Sequence, residues 1–178
     1  MTRLLGISGS LRAGSYNTAL LHAARELLPE GVELEVATLH GIPLYDGDAE
    51  EKHGIPAAVE TLKDKLAACD GLVLCTPEYN HSIPGVLKNA IDWASRPAYN
   101  SVFKDKPCFI VSVSGGALGG VRAQAHLKYI LNGMLARPFA CQEIVIPQAN
   151  AKVVDGHLAD EAILAFAELN LKAFIASL

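Results

Sequence analysis

At 178 residues the chain has the length of one domain and enough volume for a continuous core. Its net charge of −4 (15 Lys and Arg against 19 Asp and Glu) comes without a basic cluster, so neither nucleic acid nor a membrane surface is an expected partner. Hydrophobic residues make up 51%, yet no apolar run approaches the ~18 residues of a membrane span, and membrane insertion is not expected.

Met1-Thr2-Arg3 leads straight into the apolar run Leu4-Leu5-Gly6-Ile7 with no leader pattern, which predicts a cytoplasmic protein and a first strand over about 3–8. Leu20, Ala24, Leu27 and Leu28 then repeat at helical spacing and predict a helix over about 16–28. A second strand reads at about 32–39, followed by a helix at about 56–68 with Ile55, Val59, Leu62 and Leu66 on one stripe. The third strand, about 70–76, precedes a helix at about 85–96, with Pro84 in its first turn and Pro97 past its end. A fourth strand at about 108–114 and a helix at about 120–135 carry Leu127, Ile130, Leu131 and Met134. The last pair falls at about 142–147 and 159–176.

Leu72-Val73-Leu74-Cys75 and Phe109-Ile110-Val111 are continuously apolar, as central parallel strands covered on both faces must be. The alternation predicts one α/β domain over 1–178: a three-layer sandwich on a five-stranded parallel sheet of order 2-1-3-4-5. Cys69, Cys75, Cys108 and Cys141 form no C-x-x-C and read as buried thiols, neither disulfides nor metal ligands.

In that strand order a ligand binds at the carboxyl ends of strands one and three, and the unusual loops lie there. The first is Gly9-Ser10-Leu11-Arg12-Ala13-Gly14-Ser15-Tyr16-Asn17, a strand-to-helix turn of hydroxyls, amides and glycines. Such a turn gathers free N–H groups at a helix start, where the dipole favours an anion, and Arg12 adds a fixed charge. No Gly-Lys-Ser/Thr occurs, and Gly6, Gly9 and Gly14 lack the G-x-G-x-x-G spacing, so both the Walker and the dinucleotide loops are excluded. A phosphate monoester suits the loop. An ordinary helix cap by Ser15 is the plainer alternative.

The second loop runs from Thr76 to Gly85. Pro77 makes it rigid, Tyr79 can flank a flat ring, and Asn80 can read a polar edge. Glu78 reads as a solvated carboxylate more readily than as an acid or base, and His81 as an exposed loop histidine or a substrate contact. In the third loop, Ser114 to Gly120, Gly115 and Gly116 allow close approach to the main chain and offer N–H groups to developing negative charge. Together the loops describe a nucleotide or flavin site with the outline of flavin mononucleotide.

Gly9-Ser10-Leu11-Arg12, Ser15-x-Asn17, Thr76-Pro77-Glu78-Tyr79-Asn80 and the run from Pro84 through Asp92-Trp93-Ala94-Ser95-Arg96-Pro97 resemble the NADPH-dependent FMN reductase family. The resemblance covers nearly the whole chain in order, and its implications are specific. The fold would be flavodoxin-like. Ser10, Leu11, Arg12, Ser15 and Asn17 would hold FMN at its phosphate end. Pro77, Glu78, Tyr79 and Asn80 would border the isoalloxazine, with Ser114, Gly115 and Gly116 on its other side. The activity would be ping-pong transfer from NADPH or NADH to a small-molecule acceptor: a quinone, chromate, an azo compound or free flavin. FMN would carry the chemistry, leaving no residue as catalyst. A flavodoxin-type one-electron carrier is the alternative, weakly supported by so small a negative charge. A homodimer is expected, because Trp93 stands near Arg96 and Tyr99 in a run of interface-prone residue types. A homotetramer stays open, since many relatives carry Tyr where Ala125 stands.

Overall fold

The computed structural model describes residues 1–154 and 157–178. Strands β1 (Thr2–Ser8), β2 (Val32–Ala37), β3 (Gly71–Thr76) and β4 (Pro107–Val113) form a parallel sheet in the order β2-β1-β3-β4. The next position is shared by two short pieces, β5 (Arg137–Pro138) and β6 (Ile144–Ile146), each pairing in parallel with β4. The predicted order is therefore observed, but the last strand is shorter than expected and has a partner ahead of it. Phe139 N still donates to Cys108 O (2.8 Å), and 140–143 then leaves the edge before β6.

Successive side chains of a strand point to opposite faces, and both faces are apolar. Leu5, Ile7, Leu72, Leu74, Cys108 and Ile110 face one core. It is closed by α3 (Ala57–Ala68), α4 (Gly85–Ala94) and α5 (Val121–Gly133). Leu4, Val73, Cys75, Phe109, Val111 and Val113 face the other, closed by α1 (Tyr16–Glu26) and α7 (Glu161–Ala176). Phe109 stacks on Phe174 with centroids 5.5 Å apart, and Phe139 meets Phe174 edge-on at the same separation. The helices are capped as their sequences suggest: Ser15 accepts from Thr18 N, and Asp160 from Ile163 N.

Four more small elements go beyond the sequence reading. Helix α2 (Gly47–His53) is held by its Asp46 cap and buries no residue, so it has no apolar stripe to read. Helix α6 (Ala149–Lys152) is a single turn, too short to show a period. Strands β7 (Val153–Val154) and β8 (His157–Leu158) pair antiparallel. Among the described residues no helix is long and apolar enough to cross a membrane.

All four cysteines are free thiols, three buried and Cys141 half-buried. Burial pushes the Cys108 thiol up to about 12 and raises Cys75 further still, so both stay protonated at neutral pH. Cys69 and Cys141 are raised too, again chiefly by burial. Brief iodoacetamide treatment of the native protein should label Cys141 first and spare Cys75 and Cys108 until unfolding, as read by peptide mass spectrometry. Equal labelling of Cys75 and Cys141 in the folded state would contradict this packing.

Candidate functional site

The carboxyl ends of β1, β3 and β4 open into a cavity of about 300 Å³. Gly9 N donates to Cys75 O at 2.8 Å, which lashes the start of the first loop to the end of β3. Arg12 N donates to Ser10 Oγ (3.3 Å), and the Arg12 guanidinium donates to Gly14 O (2.7 Å) while lying 4.9 Å over the Tyr16 ring. Ser15 Oγ accepts from Thr18 N at 3.3 Å, so the plain capping role is real. It leaves the Ser15 hydroxyl hydrogen free to donate. The N–H groups of Ser10, Leu11, Ala13, Gly14, Ser15, Tyr16 and Asn17 have no acceptor among the described residues. They form a donor array around a helix start, the chemistry an anionic oxygen cluster needs.

Asn17 does more than the loop required of it. Its side chain is 3% exposed, donates from Nδ2 to Val113 O (3.3 Å) and accepts from Cys75 Sγ at Oδ1 (3.3 Å). It ties α1 across β3 and β4. His40, absent from the candidate set, braces the same loop: its Nε2 lies 3.0 Å from Leu11 O and its Nδ1 3.1 Å from Thr38 Oγ1. The signal was its place just past β2, beside the switch point.

In the second loop Tyr79 and Ser82 exchange both main-chain hydrogen bonds, at 3.0 and 3.1 Å. Asn80 (φ 49°) and His81 (φ 69°) between them are left-handed, which makes a two-residue primed turn. Tyr79 is 52% exposed, and His81 is exposed at the tip. Glu78 departs from expectation. Its side chain is only 12% exposed, and Oε2 accepts from Arg122 N (3.0 Å) and Ala123 N (3.3 Å). Oε1 pairs with Arg122 Nη1 at 3.4 Å. The first N–H groups of α5 have no helical partner, and their N-cap is Gly120, which lacks a side chain. A carboxylate from elsewhere takes that place, favoured by the helix dipole. Ser82 Oγ and His126 Nδ1 share a further bond of 2.9 Å.

The third loop is strapped down by Ser114 N to Ile146 O (3.0 Å), Gln148 N to Gly116 O and Ala149 N to Ser114 O, both 3.1 Å. Gly116 N donates to Ser114 Oγ at 3.3 Å, whereas Gly115 N has no acceptor among the described residues. A Cβ on Gly115 would meet nothing within 4 Å. The protein itself makes its sharpest demand for glycine further on. Gly119 and Gly120 have φ of 61° and 93°, and a Cβ on Gly120 would lie 2.7 Å from Ser112 Cβ.

Ser10, Arg12, Ser15, Asn17, Pro77, Glu78, Tyr79, Ser114 and Gly115 thus share one cavity, joined by Tyr16 and Val113. Leu11, Asn80 and Gly116 belong to the same loops but do not line it. Trp93 is elsewhere: 1% exposed within its own chain, it donates from Nε1 to Pro43 O (2.9 Å) and meets Tyr45 edge-on at 4.9 Å. It is therefore a core residue, which removes it as an interface anchor. A larger cavity, about 720 Å³, lies at the amino ends of β1 and β2 around Arg3, Arg25, Glu33 and Lys65. It has none of the three loops, and parallel sheets bind ligands at the opposite end. No cluster of metal-ligating side chains exists among the described residues.

A parallel 2-1-3-4-5 sandwich with polar loops gathered at the switch point defines a flavodoxin-like protein. Residues 2–151 match the family described as NADPH-dependent FMN reductase. An NAD(P)H-dependent FMN reductase of Pseudomonas aeruginosa is 45% identical over 172 residues, 96% of this chain and 92% of that protein. A quinone reductase of Escherichia coli K12 is 42% identical over 130 residues, 72% and 69% of the two chains. The solved flavoenzyme NAD(P)H:(acceptor) oxidoreductase of Paracoccus denitrificans superposes with a TM-score of 0.86 at 32% identity, covering 99% of this chain and 96% of that one. The chain belongs to the NADPH-dependent FMN reductase family. It is an oxidoreductase with FMN as cofactor and NAD(P)H as reductant, which favours the enzyme over the electron carrier.

Proposed function

We propose that residues 1–178 form one FMN-binding domain that passes electrons from NADPH or NADH to small two-electron acceptors: quinones, chromate, azo compounds or free flavin. The observation that supports this most is the convergence of three unlike loops on one cavity at the switch point. Bound FMN supplies the hydride-accepting and electron-donating chemistry. The N–H array from Ser10 to Asn17, with the Ser10 and Ser15 hydroxyls and Arg12, holds its phosphate. Pro77 and Tyr79 border the ring with Glu78 and Asn80 in the same hairpin, and Ser114 and Gly115 line the other side, with Gly116 next in that loop. Gly116 N already serves Ser114, so Gly115 N–H is the donor left for negative charge developing on the ring. No side chain is assigned as acid or base.

The working unit in this reading is a cytoplasmic homodimer. The exposed residues Leu118, Val121, Ala125 and Tyr129 replace Trp93 as its contact face. Val121, Ala125 and Tyr129 follow one side of α5, Leu118 precedes it, and the start of α5 is joined to the cavity through Glu78. A homotetramer would need contacts that Ala125 does not supply by itself.

Titration with FMN should give a yellow complex with bands near roughly 370 and 450 nm, and NADPH oxidation with a quinone should give parallel double-reciprocal lines. Ser15→Ala should weaken FMN roughly tenfold, since a hydrogen bond to a charged group contributes about 1.5–3 kcal/mol. Sedimentation at low micromolar concentration should read a dimer mass. No flavin binding at high micromolar FMN would sink the reading. A fully active monomer would remove its dimeric part.

A further inference from the structure

The Tyr79–Ser82 hairpin is attached to α5 on both sides of its turn. Before the turn, Glu78 accepts from the main-chain N–H groups of Arg122 and Ala123. After it, Ser82 Oγ is bonded to His126 Nδ1. Arg122 and His126 are four residues apart and so share a face of the helix. Asn80 and His81, between the two attachments, hold the left-handed conformation that the primed turn itself requires. The hairpin carries Pro77, Glu78 and Tyr79 into the cavity wall, and α5 continues directly from the loop that carries Ser114 and Gly115.

We propose that Glu78 and His126 act together as positioning residues, clamping the hairpin to α5 so that two walls of the FMN cavity keep one fixed spacing. This rests on the flavin reading above. The carboxylate has a second effect. A free helix start beside the cavity would attract an anion, but Glu78 occupies the α5 start, and the phosphate is left with α1 alone. The clamp works through the two main-chain N–H bonds. The ion pair with Arg122 is secondary, because the guanidinium is half-exposed and screened.

The test measures FMN dissociation constants by quenching of flavin fluorescence, well below the unfolding transition of each apo protein. Glu78→Ala should raise the constant several-fold and at most about tenfold, since the hydrogen bonds that fix the hairpin set the ceiling on what freeing it costs FMN binding. His126→Ala should raise it by a smaller factor in the same direction. The double variant should be no weaker than Glu78→Ala, because opening either attachment frees the same hairpin. Glu78→Gln keeps an oxygen for both N–H groups but loses the charge, and should recover part of the affinity that the alanine loses, whereas Arg122→Ala should stay within about twofold of wild type. Hydrogen exchange at Tyr79 and Ser82 should speed up in both alanine variants at positions 78 and 126, a change that mere loss of global stability would spread over the whole chain. Unchanged FMN affinity in Glu78→Ala or, if that variant does not fold, in His126→Ala overturns the clamp alone. So does a Glu78→Gln variant as weak as the alanine. Wild-type protein that fails to bind FMN overturns the clamp and the flavin reading together.

Discussion

Trp93→Ala should lower the unfolding free energy by about 3–5 kcal/mol, the range for emptying an aromatic site in a packed core. Trp93 is 1% exposed, its indole N–H is satisfied by Pro43 O, and Tyr45 packs edge-on with it. The substitution opens a void between α4 and the segment before α2, and leaves the Pro43 carbonyl to find another donor. For a chain of this size each kcal/mol moves the midpoint by about 2–4 °C, so calorimetry should record a drop of roughly 6–20 °C. Trp93→Phe fills most of the space and should lose far less. The same pair of variants tests the interface idea that the sequence raised. An anchor residue would change the sedimenting mass before it changed the midpoint of unfolding. A core residue does the reverse. A Trp93→Ala protein with an unchanged midpoint would contradict the packing described above.

Gly120→Ala should be among the most damaging single-methyl changes near the site. At φ 93° an L-residue is strained by about 1–2 kcal/mol, and the added Cβ would press on Ser112 at 2.7 Å, an overlap of the kind that costs about 1–3 kcal/mol more. Ser112 is fully buried and accepts from Gln124 Nε2 (2.9 Å), so the strain runs into the bond that seats α5 on β4. Relief by moving the start of α5 also moves Arg122 N and Ala123 N away from Glu78. Denaturant unfolding should therefore show a loss of about 2–5 kcal/mol, with FMN affinity falling at least tenfold in whatever folds. Gly116→Ala is the control for stability: its Cβ would meet only Ser114 Oγ, at 3.7 Å, an ordinary contact. If both variants unfolded at the same denaturant concentration, the close approach at Gly120 would be wrong.

The sheet was legible because its central strands are apolar on both faces, a pattern local enough to read in six or seven residues. The loops were legible because hydroxyls, prolines and glycines are concentrated where a switch point must fall. What escaped was set by distance along the chain. Asn17 looks like a loop amide until Val113, 96 residues on, supplies its acceptor. Glu78 looks solvated until α5 arrives from 44 residues away with bare N–H groups to fill. Trp93 looks like an interface residue because Pro43 and Tyr45, about 50 positions earlier, were not seen to return over it. In each case a polar or amphipathic side chain was satisfied by main chain that no local window contains.

The two borders of the sheet have opposite characters but one result. On one side β2 turns Glu33 and Glu35 outward, with Glu35 held by Lys65 at 2.7 Å, so an incoming strand would meet charge. On the other side the border is interrupted: β5 covers Pro107 and Cys108, β6 covers Val111 to Val113, and the chain bulges away in between. One border is guarded by charge and the other by its interruption, two devices that discourage strand addition. Copies of this molecule can meet through their helices, but the sheet is guarded against propagating from one copy into the next.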